Sequence, residues 1–182
     1  MESIFTYFIT AAAISLFTTP FIRKLAFKMG AIDVPKDDRR VHSEPMPLMG
    51  GLAIYVAFIL SCFLFIPMNK TFLSIIIGGT LILISGIIDD IKNLSPKGKL
   101  VFQIAASIIL ILGDVKIDVI TNPFIDSNSV IHLNGLSIPI TIFWVVGVTN
   151  TLNLIDGLDG LAAGISTIAS LTFVFVAKEL NY

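Results

Sequence analysis

Runs of about 20 apolar residues, almost free of charge, recur along most of this chain and leave few folds open. A segment that crosses hydrocarbon must satisfy its own backbone hydrogen bonds, so each run reads as an α-helix. The runs fall at residues 3–23, 50–67, 71–88, 100–113, 138–155 and 159–177, the fourth being short. The chain is therefore read as an all-α polytopic membrane protein, a single membrane domain over residues 1–182 with about six transmembrane helices. A composition that is 55% hydrophobic and 14% charged agrees, as does a mean hydropathy of +0.91, far outside the range of soluble domains.

Glu2 stands where a signal peptide would carry basic residues, and the first apolar run continues to Arg23, so it is read as a retained span. Cys62 is the only cysteine, which excludes an intrachain disulfide or a multi-thiolate metal site and leaves a lipid-facing or packing role. A net charge of -1 gives no ground for nucleic acid as a partner. The distribution of charge is more informative. Arg23, Lys24, Lys28, Lys36, Arg39, Arg40, Lys92, Lys97 and Lys99 lie in or beside loops one, three and five, whereas the opposite side holds only Lys70, Lys116 and Lys178. The positive-inside rule puts the first group in the cytoplasm and the N-terminus outside. Asp89, Asp90, Asp156 and Asp159 then all arrive at the cytoplasmic end of their helices. On the outer side, segment 114–137 alternates in VKIDV and VIHLNGLSI, with Asn134-Gly135 as a two-residue turn signal. A small extracytoplasmic β-hairpin lying on the membrane is expected there, with His132 a solvated strand residue.

Three polar stretches interrupt this apolar plan. In GIIDDIKNLSPKGK, Asp89 and Asp90 end a span side by side, and they repel one another unless a cation, a hydrogen-bond donor or water attends them. Lys92, Lys97 and Lys99 follow within a turn or a short loop, a mixture that suits a magnesium-bridged phosphate. The plainer reading is an interfacial helix end with topogenic lysines. In NTLNLIDGLDGLAAG, Asn150, Asn153, Asp156 and Asp159 are spaced by three, so neighbours share a face but the ends of the series drift apart on a regular helix. A break around Gly157 would let Asn153, Asp156 and Asp159 enter one pocket. Interhelical hydrogen bonding is the plainer role for Asn150 and Asn153, and a favourable place in a helix first turn is that for Asp159. The set as a whole favours function, because ionisable groups near the membrane are costly. In DVPKDDRRVHSEPMPLMGG, Pro45, Pro47, Gly50 and Gly51 exclude regular helix until about Met49. Arg39, Arg40 and His42 there suit phosphates or, equally, anionic head groups.

The blocks RRVHSEPMPLMGG, GIIDDIKNLSPKGK and FWVVGVTNTLNLIDGLDGLAAG closely resemble those of the polyprenyl-phosphate N-acetylhexosamine-1-phosphate transferases of glycosyltransferase family 4, in particular the bacterial enzymes that use UDP-GlcNAc. They follow the family's order and spacing over nearly the whole chain. The resemblance implies transfer of GlcNAc-1-phosphate from UDP-GlcNAc to undecaprenyl phosphate at the cytoplasmic face of the bacterial plasma (inner) membrane. UMP is released, and a lipid-linked envelope glycan such as a teichoic acid is begun. It implies Mg2+, with Mn2+ as a substitute, and the bilayer as setting; homodimers occur among relatives. By match to the family motifs, Asp89 is a candidate catalytic base or positioning group for the lipid phosphate, and Asp90 supports it or the metal. Asn153 and Asp156 fall at metal positions, Asp156, Gly157 and Asp159 at the nucleotide pocket, and Lys99 beside the diphosphate. Arg40 and His42 are carried over as substrate-binding residues of the first loop. A base is chemically optional, because a phosphate monoester with a second pKa of about 6 is already mostly dianionic at pH 7.

Family members are about twice this length, with later loops that supply another magnesium ligand and sugar contacts. The resemblance therefore implies that residues 1–182 are the N-terminal part of a longer transferase, inactive by themselves. The nearest alternative is the transferase that uses UDP-MurNAc-pentapeptide, from which the EPMPLMGG loop differs in lacking a threonine-rich approach to Met-Gly-Gly. From other classes, a cation-coupled transporter would use the same aspartates at broken helices, though it calls for acidic groups near the midplane. A non-catalytic membrane subunit is the third.

Overall fold

The computed structural model describes residues 2–33, 45–122, 129–158 and 160–180. Among these residues the chain forms α1 (Glu2–Met29), β1 (Ile32–Asp33), β2 (Met46–Pro47), α2 (Gly50–Phe65), α3 (Lys70–Lys92), α4 (Pro96–Leu112), β3 (Val119–Thr121), β4 (Val130–His132), a 3-10 turn (Asn134–Leu136), α5 (Ser137–Ile155) and α6 (Leu161–Glu179). Each expected helix has a counterpart. Four helical segments, Ile4–Met29, Lys70–Lys92, Asn134–Ile155 and Leu161–Glu179, are long and apolar enough to cross a bilayer, which makes this a multi-pass membrane protein. The expectation of six spans is met only to that extent. Helix α2 has 16 residues and α4 has 17, so each rises about 25 Å at 1.5 Å per residue against a hydrocarbon core of about 30 Å.

Helix ends depart from the hydropathy reading where capping chemistry takes over. Helix α1 continues past Arg23 to Met29, so Arg23, Lys24 and Lys28 are helical. Pro20 lies inside it, and the hydroxyls of Thr18 and Thr19 donate to the carbonyls of Ile14 (2.9 Å) and Ser15 (2.7 Å) in the preceding turn. Threonine back-bonding of this kind helps a membrane helix tolerate proline. Helix α4 begins at Pro96, four residues before its apolar run, because Ser95 Oγ accepts from the Gly98 amide at 3.2 Å and proline suits the first helical position. Lys97 and Lys99 therefore sit on a helix, not in a loop. Asn69 caps α3 in the same way, accepting from Phe72 N at 2.7 Å.

The expected hairpin is present but turns elsewhere. Val119, Ile120 and Thr121 pair antiparallel with His132, Ile131 and Val130, so residues 122–129 connect the strands. Asn134, left-handed at φ 45°, instead redirects the chain from β4 into α5. His132 is exposed, as expected. The hairpin is tied to α5: Thr141 Oγ1 accepts from Ile117 N (2.9 Å), and Ser137 Oγ donates to Asp118 Oδ1 (2.9 Å). Hydrogen bonds from Lys116 and then Ser137 hold the exposed Asp118 carboxyl below the usual carboxylate range. On the other side of the fold, α2 starts at Gly50 as the prolines require, and the sequence reading did not anticipate the short β1–β2 pair ahead of it.

Membrane helices have no water-driven collapse to bring them together, so small residues and polar bonds carry the packing. Gly78 of α3 faces the Ala106 carbonyl and Leu110 of α4, and its neighbour Gly79 faces the ring of Tyr55 in α2. The Tyr55 hydroxyl lies 2.8 Å from the Ile76 carbonyl and 2.6 Å from Thr80 Oγ1. Ala26, Ala31 and Met49 form a buried cluster, against which Ile22, Leu52, Ile87 and Ile91 pack, joining α1 and α2 to the end of α3 that carries Asp89 and Asp90. Large apolar side chains such as Phe17, Phe143 and Phe173 point outward, as lipid-facing residues should.

At Gly113, which closes α4, a Cβ would collide with Ser74 of α3. Gly113→Ala is expected to lower stability by about 1–3 kcal/mol through overpacking. Thermal unfolding in detergent checks it, with Ser74→Gly restoring part of the loss in the double variant.

Candidate active site

The polar site forms where α3, α4 and α5 end or begin together. Helix α3 stops because Asn93 adopts the left-handed conformation (φ 54°) while its amide still donates to the Asp89 carbonyl at 2.8 Å. The chain then folds back, and Asp89 Oδ1 accepts from the Leu94 amide at 2.9 Å. Asp89 Oδ2 meets Lys99 Nζ, from the first turns of α4, at 2.7 Å. The two side chains are only 24% and 28% exposed, so this charge-assisted bond is shielded from water better than an ordinary surface pair. Both oxygens of Asp89 are thus committed to the α3–α4 corner.

Asp90 is different. It is partly buried and, among the described residues, accepts no hydrogen bond, yet it lies within electrostatic range of Asp89, Asp156 and Lys99. Asp156 is exposed at the end of α5, where the helix closes with Asp156 N donating to Leu152 O (3.1 Å) and Gly157 N to Ile155 O (2.8 Å). Gly160, left-handed at φ 77°, then starts α6. The break expected around Gly157 therefore occurs between Asp156 and Gly160, with the left-handed turn taken by the second glycine.

Asn150 takes the plainer of its two roles. Its Nδ2 donates to Gln103 Oε1 (2.9 Å) and to the Val146 carbonyl (2.9 Å), and Gln103 Nε2 returns a bond to Asn150 Oδ1 at 3.3 Å. A carbonyl can only accept, so the Val146 contact fixes which atom of the Asn150 amide is nitrogen. Gln103 is 5% exposed, and its own carbonyl accepts from the fully buried Ser107 hydroxyl at 2.7 Å. Gln103 was not foreseen as part of this site. The available signal was a lone amide in the run LVFQIAASIILIL, one helical turn after Lys99.

The structure thus gathers Asp89, Asp90, Lys99 and Asp156. Asn153 and Gly157 lie exposed at the same end of α5. Asp159, Arg40 and His42 lie outside the described residues. No group of three His, Cys, Asp or Glu residues spaced to hold a metal ion occurs among the described residues. A cavity of about 230 Å³ between α1 and α2, lined in part by Ile22, Arg23, Met49 and Ala53, contains none of the site carboxylates. The dual engagement of Asp89 gives a prediction. Asp89→Ala is expected to cost about 1–3 kcal/mol by orphaning Leu94 N and Lys99, and Asp89→Asn distinctly less, because its amide oxygen still accepts from Leu94. Thermal unfolding of the two variants in detergent separates them.

Residues 72–181 match the family model described as glycosyl transferase family 4. The chain is 38% identical over 180 residues to a Bacillus subtilis protein named "Probable undecaprenyl-phosphate N-acetylglucosaminyl 1-phosphate transferase", covering 97% of this chain and 49% of that one. It is 34% identical over 172 residues to the decaprenyl-phosphate N-acetylglucosaminephosphotransferase of Mycolicibacterium smegmatis, covering 90% and 42% respectively. It is also 35% identical over 187 residues to a phospho-N-acetylmuramoyl-pentapeptide-transferase of Caldanaerobacter subterraneus subsp. tengcongensis, covering 94% and 57%. The chain spans about half the length of these relatives. No solved structure gives a significant match.

Proposed function

The chain belongs to glycosyl transferase family 4, and from that premise we propose that the protein transfers GlcNAc-1-phosphate from UDP-GlcNAc to undecaprenyl phosphate. The observation that carries the proposal is the convergence of Asp90, Asp156 and the Asp89–Lys99 pair at one end of α3, α4 and α5. Two carboxylates within electrostatic range of one another, with an ammonium group near them, suit a diphosphate accompanied by a divalent cation. Nothing favours the cation-transporter reading over this one.

The donor set fits Mg2+ in a particular way. Magnesium sites in phosphate-transfer enzymes use one or two carboxylates and complete the shell with water and substrate phosphate oxygens. Asp90 and Asp156 would be those carboxylates, with the Asn153 amide oxygen as a neutral neighbour. Bound there, the ion would neutralise charge on the diphosphate as it develops.

The transfer forms a bond between an oxygen of the lipid phosphate and the β-phosphorus of UDP-GlcNAc. The bond from that phosphorus to the bridging oxygen breaks, and UMP leaves with the electron pair. The residues of this chain hold and orient. Lys99, fixed by Asp89, offers its ammonium to the diphosphate. Asp89 acts through Lys99 and through the corner it locks, so a proton-accepting role for it requires the ion pair to open. Asp90 carries no such commitment and faces the reacting phosphates. The family positions Gly157 and Asp159, with Arg40 and His42 of the first loop, complete the proposed contacts to nucleotide and phosphate. The excess of lysine and arginine around this end orients it to the cytoplasm, with the N-terminus outside.

The choice of UDP-GlcNAc rests on the EPMPLMGG loop, so a labelled assay with both UDP-sugars is the test. With the full-length protein in membranes, labelled UDP-GlcNAc and undecaprenyl phosphate are expected to yield a lipid-linked sugar diphosphate and UMP. UDP-MurNAc-pentapeptide is expected to yield none. Chelation should abolish transfer and Mg2+ restore it, and Asp90→Asn should lower turnover by about 100-fold or more, as for loss of a charge-stabilising group. Transfer that survives both chelation and Asp90→Asn contradicts the proposal.

A further inference from the structure

We propose that Gln103 is a positioning residue for the transfer, acting through its reciprocal amide bonds to Asn150 to hold the Asp156 end of α5 at Asp90. This inference rests on the transferase reading and adds to it a residue on α4 that touches none of the reacting groups.

Four observations converge. First, Gln103 and Asn150 spend both amides on each other and the remaining Asn150 donor on Val146, so the pair fixes the rotation of α5 about its axis as well as its distance from α4. A single hydrogen bond would leave that rotation freer. Second, Gln103 is only 5% exposed and Asn150 partly buried, so water competes for these bonds less readily than on an open surface. Third, Lys99 and Gln103 are one helical turn apart on the same face of α4. The first holds α3 through Asp89 and the second holds α5 through Asn150, so one face of one helix sets the spacing between the helices that carry Asp90 and Asp156. Fourth, Asp156 follows Asn150 by six residues, about 9 Å along the helix, so a rotation of α5 displaces its carboxylate from Asp90.

The geometry also says which replacements are informative. Gln103→Leu keeps volume but orphans the Asn150 amide. Exchanging the partners, Gln103→Asn with Asn150→Gln, keeps both amides and their combined reach. In the full-length protein, Gln103→Leu is expected to lower kcat and to raise the half-saturating Mg2+ concentration by about 10–100-fold, as for groups that orient ligands without touching substrate. The KM for UDP-GlcNAc at saturating Mg2+ should change far less, and the exchanged pair should recover both lost quantities. A readout free of catalysis accompanies these. Spin labels on Lys97→Cys and Leu158→Cys, in a background with Cys62→Ser and any further cysteine of the full-length protein replaced, report the separation of α4 and the α5–α6 turn. Gln103→Leu should broaden or shift that distance distribution, and the exchanged pair should return it.

An unchanged distribution together with unchanged Mg2+ dependence in Gln103→Leu overturns the proposal. If Gln103→Leu does not fold, the exchanged pair decides. Native distances and activity support the proposal, whereas a folded protein with native distances and uncorrected turnover overturns it. If the unsubstituted full-length protein transfers no sugar phosphate, the transferase reading fails. The spin-label distances then decide whether Gln103 positions α5 at all.

Discussion

The polar architecture of this chain depends on one face of α4. Lys99 and Gln103, a turn apart, bond to different helices, the first to Asp89 of α3 and the second to Asn150 of α5. Both contacts are shielded from water, one as a charge-assisted bond and the other as a closed amide pair. At this end of the bundle they add directional bonds to the packing of α4 against α3 and α5, whereas the small-residue contacts of Gly78 and Gly113 join only α3 and α4. Asp90 and Asp156 are brought near each other by bonds in which neither takes part.

That division explains why the two adjacent aspartates are unequal. Asp89 serves the fold, since it closes α3 through Leu94 and anchors α4 through Lys99. Asp90 is held partly buried near like charge with no hydrogen bond among the described residues, an unfavourable arrangement unless something cationic or a donor arrives. A structural carboxylate beside an unsatisfied one suits the proposed binding of an anionic diphosphate with a divalent ion. The opposite end of the bundle shows no such tension. There Lys70 and Asp114 pair at 2.9 Å in the open, and Lys116 and Ser137 both serve Asp118.

Much of this was legible in the sequence, and the exceptions share a cause. Apolar runs placed all six helices, because exclusion of water from the bilayer makes hydropathy a direct reading of helix position. Helix ends obey local capping instead, so Ser95 and Pro96 start α4 before the apolar run begins. The Asn134-Gly135 signal marked a real turn but not the hairpin turn, since a left-handed residue can as well lead into a helix. Asp89, Asp90, Asp156 and Asp159 stood out as a set because charge near a membrane is expensive, whereas Lys99 was singled out by the family resemblance. Gln103 was not, because its partner lies 47 residues away and an amide in a span carries no local pattern. Asn150 was legible as an interhelical donor, and that is its observed role.

The ends of α3 and α5 come together at one end of the bundle, with Asp156 in electrostatic range of Asp90. In a Cys62→Ser background, Asp90→Cys paired with Asp156→Cys, treated in native membranes with a short bis-maleimide, tests it most directly. Efficient intramolecular cross-linking of that pair, with none between Asp90→Cys and Lys178→Cys at the far end of α6, is the predicted result. Failure of the 90–156 pair to cross-link, while single cysteines at both positions react with a small maleimide, would contradict the account.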